Sequence, residues 1–495
     1  MKKSTLEKVL FLFVLALSLT SCKLENGKLP ADAASTCAVT DEEFASWFKD
    51  SVVKENGVVT PANSVHFVHN NNCDFYKWSE RMFLWMTSKP DSIHTVFESP
   101  EFYTVSPAED GKRVLIPHKK GQLLRATANI DKTGKIFTEE GQATDDVLMD
   151  ANGNLVYYIS MVNDVYAEFL NAVDQNYMPG NTFPTTKHER DSIVDFAKKN
   201  GVVLKNPDAL ALEIKTSWVD ASQLKNTNEF LLIDATIPVY NKKNDSVWII
   251  SGERKAQLAL VGMHIVGSAS GHPEMIWATF EHKRNTPNAA YQYINKDGDT
   301  ITVLPDQGDD WIFNSNTKDT TVNVSHMKFS GDSILARKGY AISPSNTQRT
   351  KPWGSGIDVQ PNAENTSPAA SNSEIIAINN SVMSKLVGKD VRKNYLFIGA
   401  TWTNSGAGPN GYSYNPAVDS LAVNGVAIGA SQLANSTMET YAQNGEKYNV
   451  YGSCFSCHSN QNGLKPNDLS HVYNDLLVGL DTTTTTKVAP KKIKK

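Results

Sequence analysis

Residues 258–282 read LALVGMHIVGSASGHPEMIWATFEH. From Leu258 to Val266 the run is almost wholly apolar, and Met275 to His282 forms a second run. Between them, Gly267-Ser-Ala-Ser-Gly-His-Pro273 is made of small residues and turn formers. Two short apolar runs separated by such punctuation predict buried strands joined as a hairpin. Working outward, Leu212, Ile214, Thr216 and Trp218 alternate with Glu213, Lys215 and Ser217, the period-2 pattern of a half-buried strand. Helices are fewer. Trp78 to Thr87 places Trp78, Met82 and Trp85 on one side, and Asn163 to Val173 is a second candidate. Ser371-x-x-Glu374 resembles a capping box ahead of Ile375, Ile378, Val382 and Leu386, with Gly388 past the end. The expected class is α+β: a large, mostly antiparallel β domain with a few helices, followed by a short helical carboxy-terminal segment.

The chain has 495 residues, 40% of them apolar and 20% charged, so it can build a core and is not wholly disordered. A formal net charge of −5 argues against a general nucleic-acid binder, since such proteins show a basic face. No apolar run reaches the ~18 residues of a membrane-spanning helix. The amino terminus reads as an address. Lys2, Lys3 and Lys8 precede the apolar run Val9 to Leu17, the pattern of a secretory signal. Leu19-Thr-Ser-Cys22 resembles a bacterial lipobox, in which Cys22 takes the lipid and becomes the new amino terminus. Several acyl chains at ~0.8 kcal/mol per buried CH₂ would anchor the protein to a membrane without a spanning helix. The expected location is periplasmic or outer-membrane. The expected organisation is a signal peptide (1–21), an anchor linker and amino-terminal segment (22–60), a large β-rich domain (61–430), a cofactor segment (431–480) and a disordered Lys-rich tail (481–495).

With Cys22 assigned to lipid, four cysteines remain: 37, 73, 454 and 457. Cys454-Phe-Ser-Cys457-His458 is C-x-x-C-H, the c-type haem attachment pattern. Two thiols at this spacing span the two vinyl groups of haem, and the adjacent His ligates iron from one face. Three other readings compete: a thioredoxin-like pair, half a zinc site, and a plain disulfide. The first wants a βαβ context and the second needs ligands from elsewhere. Export favours one covalent haem c, held by Cys454 and Cys457, with His458 as proximal ligand. Cys37 and Cys73 are then left over. In an oxidising compartment the simplest state for them is a disulfide, with two buried thiols as the alternative.

A second axial ligand is less obvious. No Met follows His458, and Met438 is the last. A Met438 thioether is a candidate distal ligand, or else fills a core gap. His471 is the lone downstream His, and the stripe Leu469, Val472, Leu476 and Leu480 predicts a helix over 468–480. At ~100° per residue His471 falls roughly 145° from that stripe, pointing away if the stripe meets the haem. Pairing Val266 with Met275 sets His264 opposite Trp277 and His282 opposite Ala259. At ~3.3 Å per residue the two histidines then sit roughly 17 Å apart, too far to share a metal, although either alone could reach the haem. His66 and His69 fall on opposite faces of a strand, so a joint ligand role is weak.

Taken together, Asn72-Cys73-x₄-Trp78-x₄-Phe83-Leu84-Trp85, Val261-Gly262-x-His264-Ile265-Val266, Trp277-x-Thr279-Phe280-Glu281-His282 and Leu433-Ala434-Asn435-x-Thr437-x-Glu439-Thr440 before Ser453-Cys454-x-x-Cys457-His458 resemble exported bacterial proteins described as cytochrome c family or haem-binding. The resemblance implies a haem c and an extracytoplasmic role, and supplies no reaction. The expected function is electron transfer to a redox partner protein outside the cytoplasm. A redox enzyme using the large domain for substrate is the alternative, and a surface lipoprotein with a Cys454–Cys457 disulfide is a third. The Lys-rich tail could touch anionic lipid or simply solubilise.

Overall fold

The computed structural model describes residues 28–479, apart from 110, 120–121, 131–135, 139–140, 143–144, 309, 355–366, 416–424, 445–452 and 460–462. The amino-terminal address, Cys22 and the tail 481–495 lie outside the described residues.

The alternating and apolar runs assemble into one twelve-stranded sheet. Its main path in space is Ala427–Gly429, Tyr395–Thr403, His272–His282, Val247–Ala269, Leu212–Asp220, Tyr157–Asn163, Phe102–Val105 and Leu115–Pro117, each strand antiparallel to the next. Leu124–Arg125 joins Leu232–Asn241 in parallel. The expected α+β class, with a large and mostly antiparallel sheet, is what forms. No described helix is long and apolar enough to cross a membrane.

The hairpin at 258–282 is tighter than expected and its register differs. The strands run to Ala269 and from His272, leaving Ser270 and Gly271 as the turn, with Gly271 at φ +79°. Ala269 pairs with His272, the register anticipated from sequence. A bulge between His272 and Ile276, with Met275 at φ 70°, then shifts the pairing by two residues. His264 therefore faces Thr279, not Trp277. A bulge inserts unpaired residues in one strand, and period-2 patterning does not reveal it.

One face of the sheet is covered by helices. In Asn72–Met86, Trp78, Met82 and Phe83 are buried. Phe83 stacks on Phe280 at 4.3 Å, and Ile375 and Ile378 of Pro368–Lys385 join the same core. Each such side chain contributes ~1.5–3 kcal/mol on burial. The first helix starts at Asn72 because Asn71 and Asp74 form a reciprocal capping box. The second starts at Pro368, capped by Ser367, ahead of the Ser371 expected. Proline in the first turn needs no amide donor, so Ser367-Pro368 outcompetes Ser371-x-x-Glu374 as a start signal. Asp41–Trp47 buries Phe44 and Trp47 in this core, so residues in the expected linker are packed. Cys37 and Cys73 form a disulfide there, with Cα atoms 5.0 Å apart.

The other face carries Asp164–Asp174, Lys187–Lys199 and the carboxy-terminal segment. Asp164–Asp174 matches the expected helix to within a residue, with Asn163 as its cap. The expected helix over 468–480 is broken in two, Pro466–Leu469 and His471–Gly479, by extended backbone at Ser470. Phe455, Leu469, Val472 and Leu476 pack with Val266, Trp277, Tyr166 and Phe169. The carboxy-terminal segment is thereby seated directly on the sheet.

Candidate cofactor cavity

The strand register lays three rows of side chains across the second face. Val162, Glu213, Val266 and Trp277 are cross-strand neighbours, as are Ser160, Lys215, His264 and Thr279, and then Tyr158, Ser217, Gly262 and Glu281. Neighbours on one face are close enough for their side chains to interact. The polar middle row lies between apolar clusters. Val162, Val266 and Trp277 belong to one, Tyr158, Val219 and Val261 to the other. The residues alternating with Leu212, Ile214, Thr216 and Trp218 therefore do not face bulk solvent. Glu213 and Lys215 line a cavity of about 410 Å³.

The carboxy-terminal segment forms the opposite wall: Leu433, Glu439, Ser453, Cys454, Cys457, His458, His471 and Val472 all line this cavity. Residues 433–440 reach it because they are tied to the sheet. The Ser436 amide donates to Oε1 of Glu281 (2.8 Å), and Glu281 is itself buried and paired with Arg349 (2.8 Å). Asn435 Nδ2 donates to Thr279 Oγ1 (2.8 Å). Ser217 Oγ and Thr437 Oγ1 lie 2.6 Å apart. Gly262 permits this approach, since a Cβ there would fall within 3.0 Å of Thr437, Ser217 and Asn435.

Cys454 and Cys457 are thiols, not joined to each other. Burial, and next the charge of Glu439, push the Cys454 thiol up to about 12. That is opposite to the lowered value of a redox-exchanging cysteine, so a thioredoxin-like pair fits poorly. Among the described residues no group of three or more His, Cys, Asp or Glu could hold a bare metal ion. Half a zinc site therefore gains no further ligand there.

The side chains suit a haem. His458 Nδ1 donates to the carbonyl of Leu469 (2.9 Å), which fixes the tautomer and leaves Nε2 as the lone-pair nitrogen. Burial, and next the charge of His471, lower His458 to about 3, so its ring is neutral, as a metal ligand must be. Trp277 packs against the His458 ring with centroids 4.6 Å apart. Val266, Phe329, Leu433 and Val472 supply apolar wall, while Arg113, Lys215 and Lys351 are cations that could offset two propionates. The volume lies within the range of about 300–1,000 Å³ common for small-molecule and cofactor pockets.

The other sequence candidates separate. Met438 is fully buried with Leu148, Val156, Val261 and Tyr441 and is not part of the cavity wall. Its neighbour Glu439 is the residue that faces in. His471 does not point away from the motif: its ring stacks on His458 (4.1 Å, 15°), and Nε2 donates to the Cys457 carbonyl (3.1 Å). Leu469, Val472 and Leu476 of its stripe pack on the sheet core, and Val472 also lines the cavity. His282 stacks on Phe230 at 3.9 Å, is buried, and is lowered to about 3 by burial. His69 Nε2 meets His272 Nε2 at 3.2 Å, and His272 Nδ1 bonds buried Glu274 at 2.7 Å. His66 is exposed.

One pair was invisible in the sequence. His264 Nε2 lies 2.8 Å from Glu439 Oε1, and Glu439 Oε2 accepts from the Asn435 amide (2.9 Å). Burial works to raise Glu439, but the charge and hydrogen bond of His264 outweigh it and hold the carboxyl below its usual range. The two residues are 175 positions apart, and only their presence in two of the quoted sequence pieces hinted at a shared site. Comparison with protein-family models, curated proteins and solved structures returns no match.

Proposed function

We propose that the protein binds one covalent haem c and transfers electrons through it outside the cytoplasm. The carrying observation is His458, beside Cys454 and Cys457 on a cavity wall, with Nδ1 committed to the Leu469 carbonyl and Nε2 left to ligate. In this reading the two cysteines tether the haem by thioether bonds and His458 is the proximal ligand. When bound, the haem would supply one-electron redox chemistry. The chain's own part is to exclude water with Trp277, Val266, Leu433 and Val472, and to balance the propionates with Arg113, Lys215 and Lys351. The Cys37–Cys73 disulfide, the signal-like amino terminus and the lipobox-like Cys22 support export and attachment to a periplasm-facing or outer membrane. The resemblance to exported haem-binding proteins points the same way. A redox enzyme is the second reading, favoured by the polar His264, Glu439, Glu213 and Lys215 inside the cavity.

The test is maturation in a host competent for c-type haem attachment, followed by haem staining of a denaturing gel. Wild type is expected to retain stain and Cys454→Ser with Cys457→Ser to lose it. Stain on the double variant, or none on wild type, overturns the assignment.

A further inference from the structure

The cavity's axial candidates are nearly all committed elsewhere. Among the described wall residues there is no methionine. His471 lies parallel on His458 and gives its Nε2 hydrogen to the Cys457 carbonyl, so it stacks on the proximal ring and is not set opposite it. Lys351 Nζ donates to Gln432 Oε1, and Lys215 Nζ sits over the Tyr158 ring, 5.3 Å from its centroid. His264 is the remaining imidazole, and its Nε2 is tied to Glu439. A carboxylate only accepts, so Nε2 carries the hydrogen and Nδ1 is the basic nitrogen. The Nε2–Glu439 bond therefore leaves Nδ1 as the ring nitrogen able to take a proton. The cross-strand neighbour of His264 is Lys215, a cation that favours an anion nearby.

We infer that His264, held by Glu439, is the proton-accepting group of the haem cavity, and that the cavity admits a small weak-acid ligand of the hydrogen cyanide or hydroperoxide class. The ligand HX breaks its H–X bond. The proton would go to Nδ1 of His264, and the electron pair would stay on X⁻, which the iron of the bound haem would take up. Nothing is oxidised or reduced. Glu439 steadies the imidazolium, and Lys215 adds a favourable field. This rests on the haem reading above.

Cyanide binding to the matured ferric protein, followed by its Soret band, tests the inference. His264→Ala removes the base. His264→Gln keeps a hydrogen-bonding side chain of similar reach but cannot take the proton. Wild type is expected to bind cyanide. Both variants should keep covalent haem stain and associate more slowly, on the order of a hundredfold, as for loss of a positioned base. If wild type carries haem but does not bind cyanide, or if both variants bind it at the wild-type rate, the inference is overturned while the haem reading stands. If wild type carries no covalent haem, the haem reading falls first and takes the inference with it.

Discussion

Gly262 decides whether the cavity closes. It sits in the row Tyr158, Ser217, Gly262, Glu281, and the loop around Asn435 and Thr437 occupies the space a side chain would take. Both neighbours are constrained: the Asn435 side chain is bonded to Thr279, and the Thr437 hydroxyl to Ser217 and Asn435. The methyl of Gly262→Ala must therefore push the loop outward. The expected cost is about 1–3 kcal/mol, the range for overpacking a filled core, and the Glu439–His264 bond should loosen with it. Denaturant unfolding measures the first. An unchanged midpoint would mean that the loop is not seated as described.

At the scale of elements, two devices hold the amino-terminal segment and the carboxy-terminal helix to the sheet. The Cys37–Cys73 disulfide spans 36 residues and ties the segment before Asp41–Trp47 to Asn72–Met86. By chain entropy a loop of that size is worth about 4 kcal/mol. Cys37→Ser with Cys73→Ser should lower unfolding stability by roughly that amount. Reducing agent should have the same effect on wild type and none on the variant. If the variant matches oxidised wild type, the segment is held by packing alone. At the other end, Arg113 pairs with Asp475 at 3.0 Å and fastens His471–Gly479 beside the cavity. The break at Ser470 lets its hydroxyl donate to Glu213 Oε2 (2.6 Å). Glu213 is pushed up by burial, partly opposed by that bond.

For the whole molecule, buried titratable groups set opposing slopes with pH. Burial lowers His118 to about 4 and His282 to about 3, against an ordinary 6.5. The unfolded chain then binds protons that the native state refuses, so stability falls as pH drops below 6.5. Burial raises Glu80 to about 8. Burial, then the charge of Glu101, raises Asp164 to about 7. Both stay protonated in the native state at mildly acidic pH, and their contribution is lost as pH rises from the ordinary carboxyl range through those values. Each group changes stability by about 1.4 kcal/mol per pH unit inside its window. Stability should therefore peak between roughly pH 4.5 and 6.5, where the two slopes oppose. Glu80→Gln should flatten the alkaline slope, raising the midpoint at pH 8.5 and leaving it little changed at pH 4.5. A flat wild-type profile from pH 5 to 8.5 would contradict this.

What sequence alone determined was local. C-x-x-C-H carries the proposed haem chemistry within five residues, because the tether and ligand it would supply are contiguous. Alternation at Leu212–Trp218 and the apolar runs of 258–282 marked sheet, because side-chain period depends on neighbours two positions away. Tertiary structure decided what met those faces. Periodicity said that Glu213 and Lys215 leave the helix-covered core, but not that a second layer roofs them into a cavity. The bulge at Met275, which moves the His264 pairing to Thr279, has no period to betray it. Met438 and Glu439 are adjacent in the chain, and only the docking of their loop sends one into the core and the other to His264. Such pairings are settled by packing between segments more than a hundred residues apart, where shape and charge across a filled interior, not order along the chain, choose the partner.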